Sequence, residues 1–419
     1  MSKPTIAIIG SGISGLFTAY FLCDKYQVSL FEQNNYFGGH SNTVNINYNN
    51  QQIAVDTGFI VFNKKTYPNF LQFLQLLQVD YQPSNMSFAV KINNKLEYAG
   101  TNISSIFAQK SNIVNFSFIK MLTEIVRFNK QALTLLNQNL DFNYSLQQFL
   151  DEHNFSQYFC QNYLLPMAAA IWSTDIDKIG SYPACSFARF FFNHGLLTVN
   201  QQPQWYTITG GSQNYVKQII KKLTTNNVKL YHDKVLAVTN HNQQCQLTTA
   251  NNQQIFDKII IATHANQAKQ ILQQATVEQQ NFLSAFSYQQ NTAILHKDTT
   301  IMPSKKKAWA SWVYSSNHNK QLSVTYWMNN LQNINQDLPL FVTLNPNQNI
   351  KDSDIFATID YQHPIFDAKA LAMQQQIKKV QGQNNIYFCG AYQAYGFHED
   401  GVLSALNLIN QLNIYAPWQ

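Results

Sequence analysis

The 419-residue chain has few charged residues, which limits the classes of partner that it is expected to bind. Asp, Glu, Lys and Arg together make up 12% of the residues, against 45% hydrophobic ones. The formal net charge of +6 comes from basic residues that are spread along the chain. A diffuse charge of this size does not indicate a nucleic-acid-binding module. The apolar content supports a large core, and the length predicts two or three domains.

Paired cysteines and clustered metal ligands are also missing. The five cysteines are odd in number, widely spaced and without a CxxC pair. This pattern predicts reduced thiols in a cytoplasmic protein rather than a disulfide framework. His398, Glu399 and Asp400 carry ligand atoms, but consecutive residues are poorly spaced for one ion. We therefore predict no metal site.

Long apolar runs are absent as well, since no uncharged stretch approaches the length of a membrane span. The N-terminus enters an apolar segment almost at once, which leaves no room for a signal peptide. We therefore expect a cytoplasmic protein. Lys305–Lys307, followed by Trp309 and Trp312, fits either a solvated turn or contact with an anionic lipid surface. A peripheral membrane contact thus stays open.

The chain does begin with a strand, a glycine-rich turn, a helix and a second strand. Thr5–Ile9 and Val28–Glu32 are short and apolar, as is typical of buried parallel strands, and Ile13–Lys25 has the pattern of a helix. In the turn GSGISG, Gly10 permits the tight bend and Gly12 lets backbone approach a pyrophosphate. The third glycine, Gly15, lets the helix pack on the strand.

This arrangement predicts a dinucleotide site. The pyrophosphate is expected at the helix N-terminus beside Ile13 and Ser14, where free N–H groups and the helix dipole favour an anion. Glu32, 22 residues after Gly10, is placed with Gln33 to meet the adenosine ribose. Its carboxylate accepts hydrogen bonds from both ribose hydroxyls and repels a 2′-phosphate, which argues against NADP.

Parallel-strand patterns recur in the middle and at the end of the chain, with helical and antiparallel patterns between them. We predict a nucleotide-binding domain made of residues 1–84, 205–275 and 380–419. A second domain, made of residues 85–204 and 276–379, is expected to combine helices with an antiparallel sheet. The fold class is therefore α/β, a Rossmann-like domain with an inserted substrate domain.

Several motifs resemble the amine oxidase and phytoene desaturase superfamily of flavoproteins. Gly38-Gly39 resembles the second glycine motif of that superfamily, although His40 follows where Arg is usual. Val55–Phe59, Thr209–Ser212 and Val235 also match its pattern. So do Ile259–Thr263, Cys389–Ala391 and Gly396–Val402. The resemblance covers nearly the whole chain and implies non-covalent FAD, because no cysteine occupies the usual attachment segment and Cys389 is expected to be a core thiol.

The resemblance also implies which residues contact the flavin end of FAD. In the superfamily, the last helix points its N-terminus at the flavin and stabilises negative charge on the reduced ring. His40 either contacts a phosphate or caps its turn. The implied cofactor contacts beyond the first turn and Glu32 are Gly38, Gly39, His40, Gly58, Phe59, Val235, Gly390, Glu399, Asp400, Gly401 and Val402.

Four phrases resemble a bacterial subgroup of predicted NAD/FAD-binding oxidoreductases, often associated with genes for fatty acyl modification. They are Gly38–Thr43, Ala170–Ser173, Leu344–Pro346 and Gly396–Gly401. The resemblance implies hydride transfer between a substrate carbon and flavin N5. The lysine that amine oxidases place near N5 is absent, and His296 falls nearest its position, either as an acid/base group or as a hydrogen-bonded strand histidine. Tyr395 is the other catalytic candidate, as part of an aromatic cage.

An aromatic cluster in the inserted region favours an apolar ligand, unless it is simply core. Trp172 and Trp312 are the candidate substrate contacts, and Arg189 is a candidate for a carboxylate or phosphate head group. We expect an FAD-dependent oxidoreductase acting on a fatty acyl or isoprenoid substrate. A double-bond isomerase, an amine oxidase and a non-catalytic flavin subunit remain alternatives. The substrate, the electron acceptor and the oligomeric state stay open.

Overall fold

The computed structural model describes residues 3–93, 95–136, 142–172, 179–193, 195–198, 202–241, 244–317 and 322–419. Ser173, the end of one of the four subgroup phrases, lies outside these residues. The strands are β1 (Thr5–Ile9), β2 (Gln27–Glu32), β3 (Thr43–Tyr48), β4 (Gln51–Asp56), β5 (Phe62–Asn63), β6 (Tyr81–Ser84), β7 (Phe88–Ile92), β8 (Leu96–Ala99), β9 (Trp205–Ile208), β10 (Lys229–His232), β11 (Val235–His241), β12 (Gln244–Thr249), β13 (Gln253–Phe256), β14 (Lys258–Ile261), β15 (Ser287–His296), β16 (Trp312–Ser316), β17 (Leu322–Trp327), β18 (Phe341–Leu344), β19 (Ile355–Ile365) and β20 (Ile386–Phe388).

The α-helices follow the same chain order, with a π-helical stretch, Cys160–Leu164, between the sixth and the seventh. They are α1 (Ile13–Leu22), α2 (Pro68–Leu76), α3 (Ile103–Ile106), α4 (Phe116–Leu135), α5 (Leu146–Glu152), α6 (Gln157–Phe159), α7 (Leu165–Trp172), α8 (Ala184–Asn193), α9 (Gln213–Thr225), α10 (Ala265–Ile271), α11 (Val277–Leu283), α12 (Met328–Leu331), α13 (Ala368–Gln374), α14 (Ile377–Val380) and α15 (His398–Gln411).

A five-stranded parallel sheet forms the nucleotide-binding half, in the order β10-β2-β1-β14-β20. Its central strands are apolar on both faces because both faces are covered. Ile6 and Ile8 of β1 pack with α1 and α15, whereas Ala7 and Ile9 pack with α10, α11 and the β11–β13 sheet. Since β1 is followed directly by Gly10 and α1, the carboxyl edge of the sheet meets a helix N-terminus.

A seven-stranded sheet forms the other half, in the order β19-β15-β18-β17-β16-β7-β8. All its pairings are antiparallel except that of β16 with β7. Aromatic side chains of α4, α5 and α8, including Phe128, Phe149 and Phe187, build a second core beside it. The predicted fold class is confirmed, while the exact domain limits stay a prediction. Within the described ranges, no helix is both long enough and apolar enough to cross a membrane.

Candidate functional site

A cavity of about 1630 Å³ extends from the carboxyl edge of the parallel sheet to the space between the seven-stranded sheet and the α4, α7 and α8 helices. Gly10, Gly12 and Glu32 line one end, and Leu122 and Trp172 line the other. Small-molecule pockets usually measure about 300–1,000 Å³. The cavity is therefore large enough for a dinucleotide together with a second molecule.

The three glycines of the turn differ in the space around them: a side chain would clash at Gly10 and at Gly15 but not at Gly12. Gly10 has a φ of +99°, and a Cβ there would lie 2.8 Å from the Ala262 oxygen. A Cβ on Gly15 would lie 1.9 Å from the Gly10 oxygen, so α1 packs against the turn only because this residue is glycine. A Cβ on Gly12 would meet nothing within 4 Å. The open side at Gly12, with the flanking Ile13 and Ser14, faces the cavity at the start of α1, which is the geometry of a phosphate site.

Glu32 is held at the wall of the cavity by local hydrogen bonds. The backbone N–H and hydroxyl of Ser11 donate to Oε2 at 3.0 and 2.6 Å, and the Asn34 N–H donates to Oε1 at 2.9 Å. Oε2 thus has both acceptor sites filled, and Oε1 keeps one further site. Gln33 and Val235 line the same end. This end therefore offers a fixed acceptor and exposed backbone, which suit an adenosine.

The second glycine pair joins this turn to the rest of the site. Gly38 does not line the cavity; its N–H donates to the Ser11 oxygen at 3.0 Å and holds the two turns together. Gly39 does line it, and a Cβ there would be 3.0 Å from the Gly12 Cα. Gly58 also lines it, with no room for a side chain because a Cβ would lie 2.3 Å from the His40 oxygen.

Three histidines from distant parts of the sequence meet in the cavity wall. The His40 ring lies 5.9 Å from that of His264 and 5.4 Å from that of His363, and it stacks on Tyr361 at 4.7 Å. His264 stacks on Tyr288 at 4.7 Å. The pKa of His264 and that of His363 are each lowered to about 4, mainly by burial, and burial lowers the pKa of His40 well below its usual value. The cluster is therefore neutral at pH 7.

Two atoms of this cluster are without a hydrogen-bond partner among the described residues, namely Nε2 of His40 and Nδ1 of His264. Both atoms are buried, although the two residues line the cavity. The sequence indicated only His40. His264 follows β14 at the carboxyl edge of the sheet, a position that predicts site residues in doubly wound folds, but His363 has no such signal.

The C-terminal motif reaches the cavity through different residues from those expected. Phe397 and His398 line it, as do Gly390 and Phe59. His398 stacks on Phe59 at 3.6 Å, and its Nε2 is 3.0 Å from the Ser41 hydroxyl and 2.9 Å from the Tyr215 hydroxyl. Burial lowers the pKa of His398 to about 3, so it is a neutral hydrogen-bonding ring.

The structure brings none of the expected cofactor contacts after His398 to the cavity wall. Glu399 accepts from the N–H groups of Asn69 and Phe70 at 3.0 and 2.9 Å and so caps α2. Asp400 accepts from the Phe397 N–H at 2.8 Å and caps its own helix. Gly401 packs against α1, where its oxygen accepts from the Ser14 hydroxyl at 2.9 Å. Val402 is fully buried in the core. The first N–H groups of a helix lack partners within it, so Glu399 is drawn to those of α2 rather than to the cavity.

Of the two catalytic candidates, only Tyr395 lines the cavity, near Phe190. Burial raises its pKa, so its phenol stays protonated at neutral pH. His296 does not line it and matches the alternative of a hydrogen-bonded strand histidine: it is fully buried, with Nε2 2.7 Å from the Thr343 hydroxyl and Nδ1 accepting from the Asp298 N–H at 3.2 Å. Leu344 of the neighbouring strand β18 lines the cavity, but side chains alternate between the two faces of a strand, and His296 shares the face of the adjacent Thr343.

Of the three substrate candidates, the two tryptophans line the cavity and the arginine does not. Trp172 and Trp312 line the apolar wing of the cavity, as do Phe88, Leu122, Tyr163, Met167, Phe190 and Tyr326. Arg189 does not line it and instead donates to the Leu136 oxygen at 3.1 Å. In the part of the lining that the structure describes, the charged side chains are Glu32, Asp233, Lys234 and Asp360.

None of these four charged side chains lies in the apolar wing. The first three lie at the adenosine end, and Asp360 is an exposed residue of the edge strand β19 that accepts from Thr292. The wing can therefore hold an uncharged chain.

The basic run considered for membrane contact is a solvent-exposed turn, and its two neighbouring tryptophans are engaged in contacts within the protein. Lys305–Lys307 are exposed, but Trp309 packs edge-on against Trp327 at 5.3 Å and donates to the Pro303 oxygen at 2.8 Å. Trp312 lines the cavity. Cys389 is fully buried in the core, as predicted.

Comparisons with known proteins agree with this geometry. The family model of an NAD(P)-binding Rossmann-like domain matches residues 8–77. No curated protein matches the sequence. Among solved structures, a CLA-producing fatty acid isomerase from P. acnes has a TM-score of 0.70 at 13% identity, over 98% of this chain and 99% of that one.

Two amine-oxidising enzymes are similar to the chain at nearly the same level. The cyclohexylamine oxidase from Brevibacterium oxydans IH-35A has a TM-score of 0.66 at 12% identity, over 98% of this chain and 100% of that one. A putrescine oxidase bound to putrescine has a TM-score of 0.68 at 12% identity, over 98% and 99%. At these identities the similarity establishes the fold.

Proposed function

We propose that this chain, which has the fold of the amine oxidase-like FAD oxidoreductase superfamily, is an FAD-dependent oxidoreductase acting on a lipid-like substrate, a fatty acyl or isoprenoid chain. One observation carries the proposal. A single cavity joins a glycine-rich dinucleotide turn to an apolar wing without charged side chains among its described residues.

The residues at the dinucleotide end fit FAD. Gly12 leaves open space at the N-terminus of α1 for the pyrophosphate, and Oε1 of Glu32 keeps an acceptor site for a ribose hydroxyl. Lys234 and Val235 line the adenine end. Gly58 and His398 border the region toward the wing, where an isoalloxazine ring would be held. When bound there, the flavin supplies a hydride acceptor at N5.

The chain's own side chains orient the substrate and keep water away from it. Phe190, Trp172 and Tyr395 form the wall between the C-terminal motif and the wing, so the reacting carbon is surrounded by aromatic rings. His40 and His264 line the cavity as neutral rings, so they add no charge beside the substrate. Close approach of the carbon and exclusion of water favour the hydride transfer, which leaves a cationic carbon. In a net oxidation the adjacent carbon then loses a proton to a neutral ring of the histidine cluster and a double bond forms, whereas in an isomerase the hydride returns to another carbon.

An apolar substrate is favoured over an amine for an electrostatic reason. An ammonium group buried without a counter-charge is costly, and the described lining of the wing holds no carboxylate. The resemblance of the fold to a fatty acid isomerase supports the same choice, although the two amine oxidases are nearly as similar. A double-bond isomerase is the second candidate, because return of the hydride to another carbon needs the same arrangement. An amine oxidase is the third.

An anaerobic titration of the purified holoprotein tests the proposal. Fatty acyl lipids, isoprenoids, amines and NADPH are added in parallel, and the flavin absorbance is followed. Bleaching by a lipid is the expected result. A colourless protein that does not bind FAD would refute the cofactor, and bleaching by amines alone would refute the substrate class. Consumption of an electron acceptor during turnover separates net oxidation from isomerisation.

A further inference from the structure

We propose that the exposed apolar surface at the N-terminal end of α4 docks on an anionic lipid bilayer. This surface, called the α4 surface, consists of Ile113, Val114, Phe116, Ile119 and Val126. Its role in taking up substrate rests on the lipid substrate proposed above. The docking itself does not depend on any reaction.

The α4 surface is unusual because five large apolar side chains are exposed to solvent close together there. Val114 is 87% exposed and Phe116 is 82% exposed, and the remaining three residues are 38–59% exposed. Asn115 caps the helix between the two most exposed residues, so their position is fixed by regular structure. Scattered exposed apolar residues are normal, but a contiguous group marks an interaction site.

The α4 surface continues into the cavity. On α4, residues 116, 119, 122 and 126 are three or four positions apart and so share one face of the helix. Leu122 lines the cavity, and Val126 both lines the cavity and is 59% exposed. Val126 therefore lies at the rim. A chain that left a bilayer at Phe116 would reach the apolar wing along side chains of the same kind.

Charge decides between a bilayer and a second copy of this chain. Lys110, Lys120 and Lys130 are exposed beside the α4 surface. The single acidic residue in 103–136, Glu124, is 3% exposed and is occupied by Arg127 and Ser156. Two copies meeting through this face would bring the lysines together, whereas an anionic headgroup layer attracts them. The combination of exposed apolar residues and flanking lysines is that of an interfacial helix.

Flotation of the holoprotein with vesicles tests the docking. One set of vesicles contains phosphatidylcholine alone, and the other contains equal parts phosphatidylcholine and phosphatidylglycerol. The wild type is expected to float with the anionic set, and added salt is expected to weaken this binding. The double variant Val114→Glu with Phe116→Glu is expected to bind at least about tenfold more weakly. Phe116 opens the first turn of α4, where an acidic residue is favourable, so the variant should fold normally.

Val277→Glu is the matched control. Val277 is 73% exposed and also opens a helix, α11, but it lies outside the α4 surface. This variant should float like the wild type. Failure of the wild type to float, or equal flotation of the double variant, would overturn the docking. So would a wild-type dimer that the double variant converts to monomer without any binding to vesicles.

The lipid substrate and the bilayer docking can be refuted independently. Flotation without flavin bleaching by any lipid would refute the lipid substrate and leave the docking intact. Bleaching by a lipid in detergent without flotation would refute the docking alone.

Discussion

Gly12 faces open space whereas Gly15 is packed against backbone, so substitution by alanine should reduce FAD affinity at Gly12 and stability at Gly15. In Gly12→Ala the new methyl group points into open space at the cavity, so the unfolding free energy of the apoprotein should change by less than about 0.5 kcal/mol. FAD affinity should fall by about tenfold or more, because the methyl group occupies the path of the pyrophosphate. In Gly15→Ala the methyl group meets the Gly10 oxygen, and stability should fall by about 1–3 kcal/mol or more.

Urea unfolding of the apoproteins and FAD titration measure the two quantities independently. Equal destabilisation by both substitutions would show that Gly12 has a structural role, and unchanged FAD affinity in Gly12→Ala would remove the phosphate site from this turn.

The buried histidines predict a loss of stability in acid. The pKa of His264 is lowered to about 4 by burial, below the ordinary value of 6.5 that it has in the unfolded chain. As the pH falls from about 6.5 to about 4, the unfolded chain takes up a proton that folded His264 does not, so folding is penalised. His264→Phe keeps a ring against Tyr288 and removes this titration.

The wild type should therefore lose more unfolding free energy than His264→Phe between pH 7 and pH 5. Chemical denaturation at the two pH values gives both differences, and comparing the two proteins cancels the contributions of groups that do not interact with His264, which His40 and His363 do. Equal losses would mean that His264 titrates normally in the folded protein.

At the scale of elements, Glu399 links the last helix to α2. Its carboxylate accepts from Asn69 and Phe70, the first residues of α2 after Pro68. Glu399→Ala leaves those N–H groups without an acceptor and should lower stability by about 1–2 kcal/mol. FAD affinity should change little, since Glu399 does not line the cavity.

Thermal unfolding and FAD titration of Glu399→Ala check this assignment. Glu399→Gln retains an acceptor oxygen and should recover part of the stability. A large loss of FAD affinity with unchanged stability of the apoprotein would restore the role that the sequence pattern assigned to this residue.

Local patterns predicted elements better than they predicted which residues touch the site. The TIAII segment is the observed strand β1, and the helix expected over Ile13–Lys25 is present over Ile13–Leu22. Strand and helix formation depend on neighbours in sequence, so the pattern suffices. His296 was placed by its position relative to a family motif, yet its ring contacts Thr343, whose side chain is on the opposite face of the sheet from the cavity-lining Leu344.

At the scale of the whole molecule, the cavity is bounded by segments from nearly the full length of the chain. A ligand that binds only the folded protein stabilises all of these segments together. FAD at a hundred times its dissociation constant should raise the unfolding free energy by about 2.7 kcal/mol. Differential scanning fluorimetry across FAD concentrations measures this dependence, and a melting temperature independent of FAD would contradict it.

The sequence by itself determined the dinucleotide turn and the fold class. Gly10–Gly15, Glu32 and the flanking apolar strands lie within one short stretch, and their spacing has few structural solutions. The tertiary structure alone decided that His40, His264 and His363 meet, that Arg189 and Glu399 point away from the cavity, and that the wing carries no charge among its described residues. Residues hundreds of positions apart meet only when two sheets pack, and no local pattern records which of their faces will turn inward.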